Sequence, residues 1–339
     1  MQFVADVDLT TKNTLAVPSR CDWFCAPENM DDIFEAIGWA KKRAQKINIL
    51  GGGSNLLLAE KISGLVIQPK IKGIDILAEE YGDVLIRVGA GEIWEDLVNW
   101  AEQNSLSGIE NLTLIPGTVG AAPIQNIGAY GCELKDVFEQ LTAINLESGA
   151  VDIFDREGCR FAYRESIFKR ELDQKYIITH VVLRLSRSPK LNLSYPALAN
   201  AFVDRDISQI GSKEVLSAIR QIRQTKLPDP KVIPNAGSFF QNPVISQLQY
   251  EQLKAEYPLM PCYHQPNRQV KIPAGWLIEQ AGWRGRQKNG IKIHERQALV
   301  LTNPEGCSVD VIYSVARQIQ SDVQGLFSIH LDIEPRYIS

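Results

Sequence analysis

Two glycine-rich segments carry the clearest chemical signal in the sequence. The first, Gly51-Gly52-Gly53-Ser54-Asn55, directly follows a short apolar run at residues 47–50. Because glycine has no Cβ, the backbone amides of such a loop can approach an anion closely, and pyrophosphate is a natural guest. The string is neither GxGxxG nor a P-loop with its lysine, and three adjacent glycines can also make a simple tight turn. The residues alone leave both interpretations open.

The second segment, residues 115–131, contains four glycines and three alanines together with Thr118, Gln125 and Asn126. Small side chains leave room for a large flat ligand, and a loop longer than about a dozen residues without regular structure is commonly functional. A mobile loop is the alternative, although such a loop is usually more polar. We expect the two segments, which lie in one half of the chain, to contact two parts of one nucleotide.

Three further polar side chains are candidates for chemistry. Arg164 can form an ion pair with its neighbour Glu165 or bind a ligand carboxylate through two parallel hydrogen bonds, and chemistry alone favours the ion pair. Ser238 follows Gly237 but lacks a GxSxG context, so a serine that caps turn amides is the default interpretation. Glu334 lies in a β-like run and carries no signal by itself.

The elements that must position these residues follow from apolar periodicity. Helices are predicted at residues 29–44, 93–101, 312–319 and 212–222, the last with Ser212 as its cap and a stop at Pro228 and Pro230. Strands are predicted at residues 47–50, 56–58, 84–88, 176–185 and 298–301, with a hairpin around residues 147–149 and a loop over residues 234–243. The sequence therefore predicts a mixed α and β protein of about two domains, with a boundary near residues 200–214.

Composition excludes several classes of function. The 339 residues carry 36 Lys and Arg against 40 Asp and Glu, so no net positive charge draws the chain to nucleic acid or to an anionic membrane. No apolar run reaches the roughly 18 residues that span a bilayer, and no signal peptide is evident. The six cysteines are too sparse for a disulfide scaffold, and no histidine lies within metal-motif spacing of Cys21, Cys25 or another histidine. We expect a cytoplasmic protein with a small-molecule ligand, reduced thiols and no metal.

Eight strings, taken together and in order, resemble the UDP-N-acetylenolpyruvoylglucosamine reductase family from about residue 13 to the end of the chain. The Tyr195 segment and the YRESIFK string further resemble the longer class of this family, which has a tyrosine loop over the substrate. The strings are Asn13-Thr14, ILGGGSNLLL, VGAGEIWEDLV, LIPGTVGAAPIQNIGAYG, YRESIFK, TKLPDPK, NAGSFFQNP and AGWLIEQAG.

The resemblance implies an α+β fold. Its two-subdomain FAD-binding part is vanillyl-alcohol-oxidase-like and not a Rossmann fold, and a C-terminal α+β substrate domain follows. The implied bounds are 1–70 for FAD-binding subdomain 1, completed by 325–339, then 71–205 for subdomain 2 and 206–324 for the substrate domain.

The resemblance also implies an NADPH-dependent FAD oxidoreductase of peptidoglycan synthesis, and hence of cell-wall biogenesis, cell shape and cell division. NADPH reduces FAD, and hydride then passes to UDP-N-acetyl-3-O-(1-carboxyvinyl)-glucosamine, which becomes UDP-N-acetylmuramate. The implied partners are these small molecules, without nucleic acid or membrane, and the implied state is a monomer. Two alternatives stay open, another flavin oxidase of the same fold and a UDP-sugar-binding protein without catalysis.

Carried over by motif, Arg164 and Glu334 stabilise the negative charge formed on the substrate, and Ser238 donates the proton. The implied substrate-binding residues are Tyr195, Arg223, Lys226, Asn242, Tyr263, Lys271 and Gln297. The implied FAD-binding residues are Leu50, Gly51, Gly52, Gly53, Ser54, Asn55, Pro116, Gly117, Thr118, Gly120, Ala121, Gln125, Asn126, Gly128, Ala129 and Tyr130.

The chain departs from the family pattern at three places. The usual Asn-Thr-Phe-Gly start ends here in Leu15-Ala16, and Gln241 replaces a common lysine. The ending usually reads Pro-Glu-Val-Arg, whereas here Pro335 follows Glu334 and fixes its own φ while removing an amide. We assign Glu334 rather than Asp332 because Arg336 keeps its spacing of two.

Overall fold

A computed structural model describes residues 1–188, 190–206, 209–265 and 267–339 of the chain. Its contacts divide the chain into two compact units. Unit 1 comprises Met1–Val7, Cys21–Gly52 and Ser63–Thr225, and unit 2 comprises Asp8–Arg20, Gly53–Ile62 and Lys226–Ser339. In the described parts of the chain, no helix combines the length and the apolar content that crossing a bilayer requires.

Helices and strands occur in both units. The helices are α1 Met30–Lys42, α2 Trp94–Gln103, α3 Arg156–Cys159, α4 Pro196–Ala201, α5 Ser212–Lys226, α6 Gln247–Glu256, α7 Ala274–Gln280 and α8 Val309–Phe327. The strands of the first half are β1 Val4–Asp8, β2 Arg20–Cys25, β3 Ile47–Ile49, β4 Leu56–Leu58, β5 Lys61–Ile67, β6 Ile74–Glu80, β7 Asp83–Gly89, β8 Gly128–Ala129, β9 Cys132–Glu133, β10 Phe138–Asn145 and β11 Val151–Asp155. The remaining strands are β12 Tyr176–Ser186, β13 Asn235–Ser238, β14 Val244–Ser246, β15 Tyr263–Gln265, β16 Gln269–Lys271, β17 Gln287–Lys288, β18 Ile291–Ile293, β19 Val300–Thr302 and β20 Arg336–Ile338.

Unit 1 contains a four-stranded sheet in the order β1-β2-β5-β3, in which β3 runs parallel to β5. Helix α1 shares an apolar core with this sheet through Ile33 and Ile37. The Asn29 side chain accepts a hydrogen bond from the Asp32 amide, which caps the helix start, and Asp31 and Asp32 suit the positive end of the helix dipole. The predicted helix is confirmed, with its bounds shortened by one or two residues at each end.

A five-stranded antiparallel sheet in the order β11-β10-β12-β7-β6 forms the second core of unit 1. Alternate residues Val84, Ile86 and Val88 of β7 pack in this core with Trp94 and Leu97 of α2. The predicted hairpin joins β10 to β11. The predicted strands and helix of this region are therefore confirmed. The apolar residues recur with the period of a strand in β7 and of a helix in α2, and in each element they form one buried face.

One prediction about α5 needs correction. Ser212 lies inside the first turn of the helix, and the Glu214 carboxylate accepts the amide of Gly211 at 2.8 Å. The helix packs into unit 1 through Leu216, and this compact unit extends to Thr225. The three-part division implied by the resemblance stays a prediction.

Unit 2 contains the sheets β13-β19-β18-β17 and β14-β16-β15 and a parallel pair of β4 with β20. Helix α8 buries Ile312, Val315 and Ile319 in its core, as the periodicity predicts. The predicted loop at 234–243 is wrong in part, since residues 235–238 form strand β13 beside β19. Proline residues bracket this segment without entering the strand, so they do not interrupt its pairing.

Candidate active site

The two glycine segments touch backbone to backbone within unit 1. A Cβ on Gly52 would lie 2.6 Å from the Cα of Gly117, and one on Gly51 would lie 3.0 Å from the Cβ of Ala121. Real Cβ atoms do not approach that closely, so any larger residue at position 52 must push the loops apart. The prediction that the segments form one site is supported by this contact.

Four backbone amides at this contact are left for a ligand. The carbonyls of Gly51 and Gly117 accept hydrogen bonds from Gln68 Nε2 at 2.9 Å and from the Trp94 amide at 3.0 Å. In contrast, the amides of Gly51, Gly52, Gly117 and Thr118 have no acceptor within the residues that the structure describes. Carbonyls turned inward and amides left free make a concave donor surface of the kind that binds phosphate oxygens.

The second segment rests on the VGAG part of the VGAGEIWEDLV string. The amide of Val119 donates to the Glu92 carbonyl at 2.8 Å, and a Cβ on Gly120 would lie 2.5 Å from that of Ala90. The expected irregular loop is partly ordered, because Val119–Gln125 forms a 3-10 turn. Asn126 adopts a left-handed conformation and donates to Glu133 and to the Ala162 carbonyl. Its amide group therefore holds the loop in shape.

The third glycine of the first segment belongs to unit 2 and has a different role. Gly53 has φ +67, and a Cβ there would lie 1.9 Å from the Lys12 carbonyl oxygen. Its own carbonyl accepts the Thr14 amide at 3.0 Å, and the Thr14 hydroxyl donates to the Ser54 carbonyl at 3.4 Å. The tight-turn interpretation holds for Gly53, whereas Gly51 and Gly52 fit the anion-binding interpretation.

Arg164 is held beside the second segment. It occupies a tight turn with φ +55, and its Nη2 donates to the Gly128 carbonyl at 2.7 Å. Glu165, the partner that chemistry alone favours, pairs with Arg170 at 2.5 Å and with Lys169 at 3.7 Å. A non-glycine residue in the left-handed region stores backbone strain, and such strain is frequent at functional sites.

Arg223 of α5 lies in the same region of unit 1. Its Nη2 donates to the Leu114 carbonyl at 3.1 Å, while its buried Nε has no hydrogen-bond partner within the described residues. Burial lowers the pKa of Arg223; Tyr130 and Glu95 act against this shift, and the Arg164 charge adds to it. The guanidinium groups of Arg164 and Arg223, the second with an Nε–H that has no partner among the described residues, make a site for an anion.

Tyr130 and Tyr195 stack edge to face in this region, with ring centroids 5.0 Å apart. Burial raises the pKa of Tyr130, and the nearby Arg223 charge opposes the shift. Lys226, at the end of α5, is exposed. The two tyrosines present aromatic edges and hydroxyl groups to this region.

In unit 2, Ser238 ends β13 opposite Val300, after an irregularity at Ala236 and Gly237. Gly237 has φ +67 and donates its amide to Asn235 Oδ1 at 2.8 Å. Ser238 is exposed, and in the described parts of the chain no acceptor or donor engages its hydroxyl. The bulge turns the serine outward, so it does not cap a turn as the residues alone suggested.

Glu334 pairs directly with this segment. Its amide donates to the Phe239 carbonyl at 2.9 Å, and its carbonyl accepts Asn55 Nδ2 at 3.4 Å. After Pro335 the amide of Arg336 donates to the Asn55 carbonyl at 3.0 Å. Pro335 therefore lies where the chain changes neighbours and no amide is required, and Glu334 keeps a buried place with 9% exposure.

The other candidates of unit 2 lie around α7 and β16. Asn242 Oδ1 accepts the Ala274 amide at 2.8 Å and so caps α7. Gln297 Oε1 lies near Gly275, 2.7 Å from the position that a Cβ would take there. Tyr263 of β15 and Lys271 of β16 are directly paired across their strands, so their side chains leave the same face of the sheet.

Sequence reasoning missed Glu95, the side chain that ties α2 to the second glycine segment and to α5. Its carboxylate accepts hydrogen bonds from the Thr113 hydroxyl, the Leu114 amide and the Arg220 guanidinium. Glu95 lies within the VGAGEIWEDLV string, but a glutamate in the first turn of a helix is unremarkable in sequence. Only its three tertiary partners distinguish it.

Comparisons with known proteins add two family models. One, described as an FAD binding domain, matches residues 22–153. The other, described as UDP-N-acetylenolpyruvoylglucosamine reductase, C-terminal domain, matches residues 229–338. The predicted FAD-binding fold with a C-terminal α+β domain is confirmed by this pair.

Close relatives and one solved structure match nearly the whole chain. The UDP-N-acetylenolpyruvoylglucosamine reductase of Pseudomonas fluorescens is 42% identical and covers 98% of this chain and 97% of its own length. That of Pseudomonas aeruginosa is 41% identical with 95% coverage of each chain. The crystal structure of the Thermus caldophilus enzyme has a TM-score of 0.68 at 22% identity, covering 100% of this chain and 98% of its own, and so shows the same fold.

Proposed function

Because the chain belongs to the UDP-N-acetylenolpyruvoylglucosamine reductase family, we infer that it is an FAD-containing oxidoreductase of peptidoglycan biosynthesis. It converts UDP-N-acetyl-3-O-(1-carboxyvinyl)-glucosamine to UDP-N-acetylmuramate, with NADPH as the reductant. The family resemblance seen in the sequence motifs is thereby confirmed. The cofactors FAD and NADPH follow from the same membership.

The observation that carries the cofactor assignment is the pair of glycine loops in unit 1. Their four free amides, and the close approach of Gly52 to Gly117 that leaves no room for a Cβ, fit the phosphates of a dinucleotide. When bound, FAD supplies the two-electron carrier that accepts hydride from NADPH and delivers hydride to the vinyl carbon of the substrate. We assign Gly51 to Asn55 and the segment from Pro116 to Tyr130 to holding it.

Hydride addition at the vinyl CH2 leaves negative charge on the adjacent carbon and its carboxylate. Arg164 meets this need because its planar guanidinium, fixed by the Gly128 carbonyl, can bind a carboxylate through two parallel hydrogen bonds. Glu334, whose side chain is buried in unit 2, is proposed to stabilise the same charge. These roles are proposed from the family motifs and supported by these contacts.

Ser238 is proposed to protonate the carbon next to the carboxylate. A serine is a weak acid, so the transfer is downhill only to a strongly basic carbanion. Its exposed hydroxyl, turned outward by the bulge at Gly237, is available to a ligand. After the transfer the serine must regain a proton from solvent or from a neighbouring group.

The remaining polar candidates are proposed to bind the UDP-sugar. Arg223 offers a buried Nε without a hydrogen-bond partner in the described residues, and Lys271 offers an ammonium on the strand paired with that of Tyr263. Guanidinium and ammonium groups suit a diphosphate. The full proposed set is Tyr195, Arg223, Lys226, Asn242, Tyr263, Lys271 and Gln297.

The enzyme acts on small molecules, and we propose that it works as a monomer in the cytoplasm, where UDP-sugars and NADPH are found. Its net charge of −4 supports the absence of a nucleic-acid partner. The division into two FAD-binding subdomains and a substrate domain is kept as part of this proposal.

An anaerobic flavin spectrum tests the function. The purified protein should be yellow, should bleach with NADPH, and should regain its colour when the enolpyruvyl substrate is added. Reoxidation by oxygen but not by the substrate would instead favour a flavin oxidase. A colourless protein that binds UDP-sugar and does not take up FAD would favour a binding protein.

A further inference from the structure

Glu95 of α2 uses both carboxylate oxygens within unit 1. Thr113 Oγ1 lies 3.0 Å from each oxygen, the Leu114 amide donates at 2.5 Å, and Arg220 Nη2 donates at 2.6 Å. The Glu95 and Arg220 side chains are only 23% and 29% exposed, so solvent screens this ion pair less than a surface pair. One carboxylate thus joins α2, α5 and the segment that leads into the second glycine loop.

Leu114 is held at both ends of its peptide. Its φ of +56 is unfavourable for a residue with a Cβ. Its amide donates to Glu95, and its carbonyl accepts Arg223 Nη2 at 3.1 Å. The strained residue therefore links the Glu95 carboxylate to the Arg223 guanidinium, two residues before Pro116.

Glu95 also places a negative charge near two cations, Arg164 and Arg223. Arg223 lies in a desolvated place where the Arg164 charge repels it and the Glu95 charge attracts it. Without a carboxylate nearby, two guanidinium groups in such surroundings separate or draw in solvent anions. Among the described residues Glu95 makes no hydrogen bond to Arg164 or Arg223, so it acts on Arg223 through Leu114 and through its charge.

From this geometry we propose that Glu95 is a positioning residue that holds Arg223 in place for the anionic UDP-sugar. The proposal rests on the proposed function, since it takes that substrate as the ligand of Arg223. Glu95 itself contacts no reacting atom, so it should act on substrate affinity and leave the chemical step unchanged.

The test is Glu95→Gln, which keeps the shape and removes the charge. We expect the KM for the UDP-sugar to rise at least ~10-fold, the scale of one charged hydrogen bond, while kcat changes less than ~3-fold. Flavin content and the rate of flavin reduction by NADPH should stay at the wild-type level. Glu102→Gln is the matched control, because Glu102 also joins α2 to α5 through Lys213 at 3.5 Å but lies at the far end of α2 from Leu114.

Three results would overturn the proposal. A normal KM with a lowered melting temperature would make Glu95 purely structural, and loss of flavin would assign it to the FAD loop. An equal rise of KM in Glu102→Gln would mean that any loosening of α2 against α5 suffices. Failure of the wild-type enzyme to reduce the UDP-sugar is a separate outcome, since it removes the proposed function and the inference with it.

Discussion

In unit 1 the side chains of Asn126 and Arg164 are hydrogen-bonded within the protein, whereas in unit 2 the side chain of the proposed acid, Ser238, is exposed. Asn126 uses its amide group on Glu133, Ala162 and Lys135, and Arg164 is bound to Gly128. Ser238, in contrast, is exposed at the end of a strand. The difference indicates that the glycine loops are built before a ligand binds, while Ser238, the proposed proton donor, would depend on the substrate for its polar contacts. Substitutions in the glycine loops should change flavin content, and substitution of the serine should change rate alone.

The largest effect is expected for Gly52→Ala. The new Cβ would lie 2.6 Å from the Cα of Gly117, so the loops must separate and the four amides lose their common geometry. We expect a colourless protein with a loss of activity above ~10³-fold, in line with the loss of a preorganised site. Absorbance at the flavin band measures this. Gly38→Ala is the control, because nothing lies within 4 Å of its Cβ position in α1, and that variant should stay yellow.

The second largest effect is expected for Ser238→Ala, which removes the exposed hydroxyl of the proposed proton donor. We expect substrate reduction to slow by at least ~10²-fold, the low end for losing a positioned acid, with flavin content and flavin reduction by NADPH unchanged. Stopped-flow measurement of each half-reaction separates the two steps. Turnover at the wild-type rate would remove Ser238 from its role. Ser246→Ala, which removes the cap of α6, should lower stability and leave both half-reactions intact.

Arg164→Lys tests the comparison further, because Arg164 lies in unit 1 with the glycine loops but is proposed to stabilise the charge formed on the substrate. A point charge replaces a planar fork, so the second half-reaction should fall roughly 10-fold or more while FAD remains bound. Loss of FAD would mean that Arg164 serves the flavin side, and the contrast between the units would weaken. Arg170→Lys is the matched control, since its exposed ion pair with Glu165 should contribute little.

Ala16→Gly should give the smallest effect. Ala16 has φ +49 at the position where the family pattern has glycine. Relief of left-handed strain, less the entropy cost of glycine, should raise the free energy of unfolding by about 0.5–1 kcal/mol. Urea titration measures this, and activity should not change. Ala199→Gly, in the helix α4, should shift stability in the opposite direction.

Much of the fold was predictable because each element carries its own period. Helices α1, α2 and α8 and strands β7 and β12 were located from apolar spacing, which local backbone geometry imposes on any buried face. The prediction of a loop at residues 234–243 was wrong in part. The prolines at both ends suggested a loop, whereas pairing with β19 makes residues 235–238 a strand. The predicted cap of α5 was also wrong, because Ser212 is the first residue of the helix itself and the Glu214 carboxylate accepts the Gly211 amide.

The sequence by itself determined the family and the candidate residues, because glycine loops and their neighbouring strings are local and appear in order along the chain. Only the tertiary structure decided that Gly52 meets Gly117, that Arg164 binds Gly128 while Glu165 pairs elsewhere, and that Glu95 holds Leu114. These partners lie far apart along the chain. Spacing along a sequence reports the face of a helix or strand, whereas hydrogen bonds between distant segments exist only once packing has brought them together.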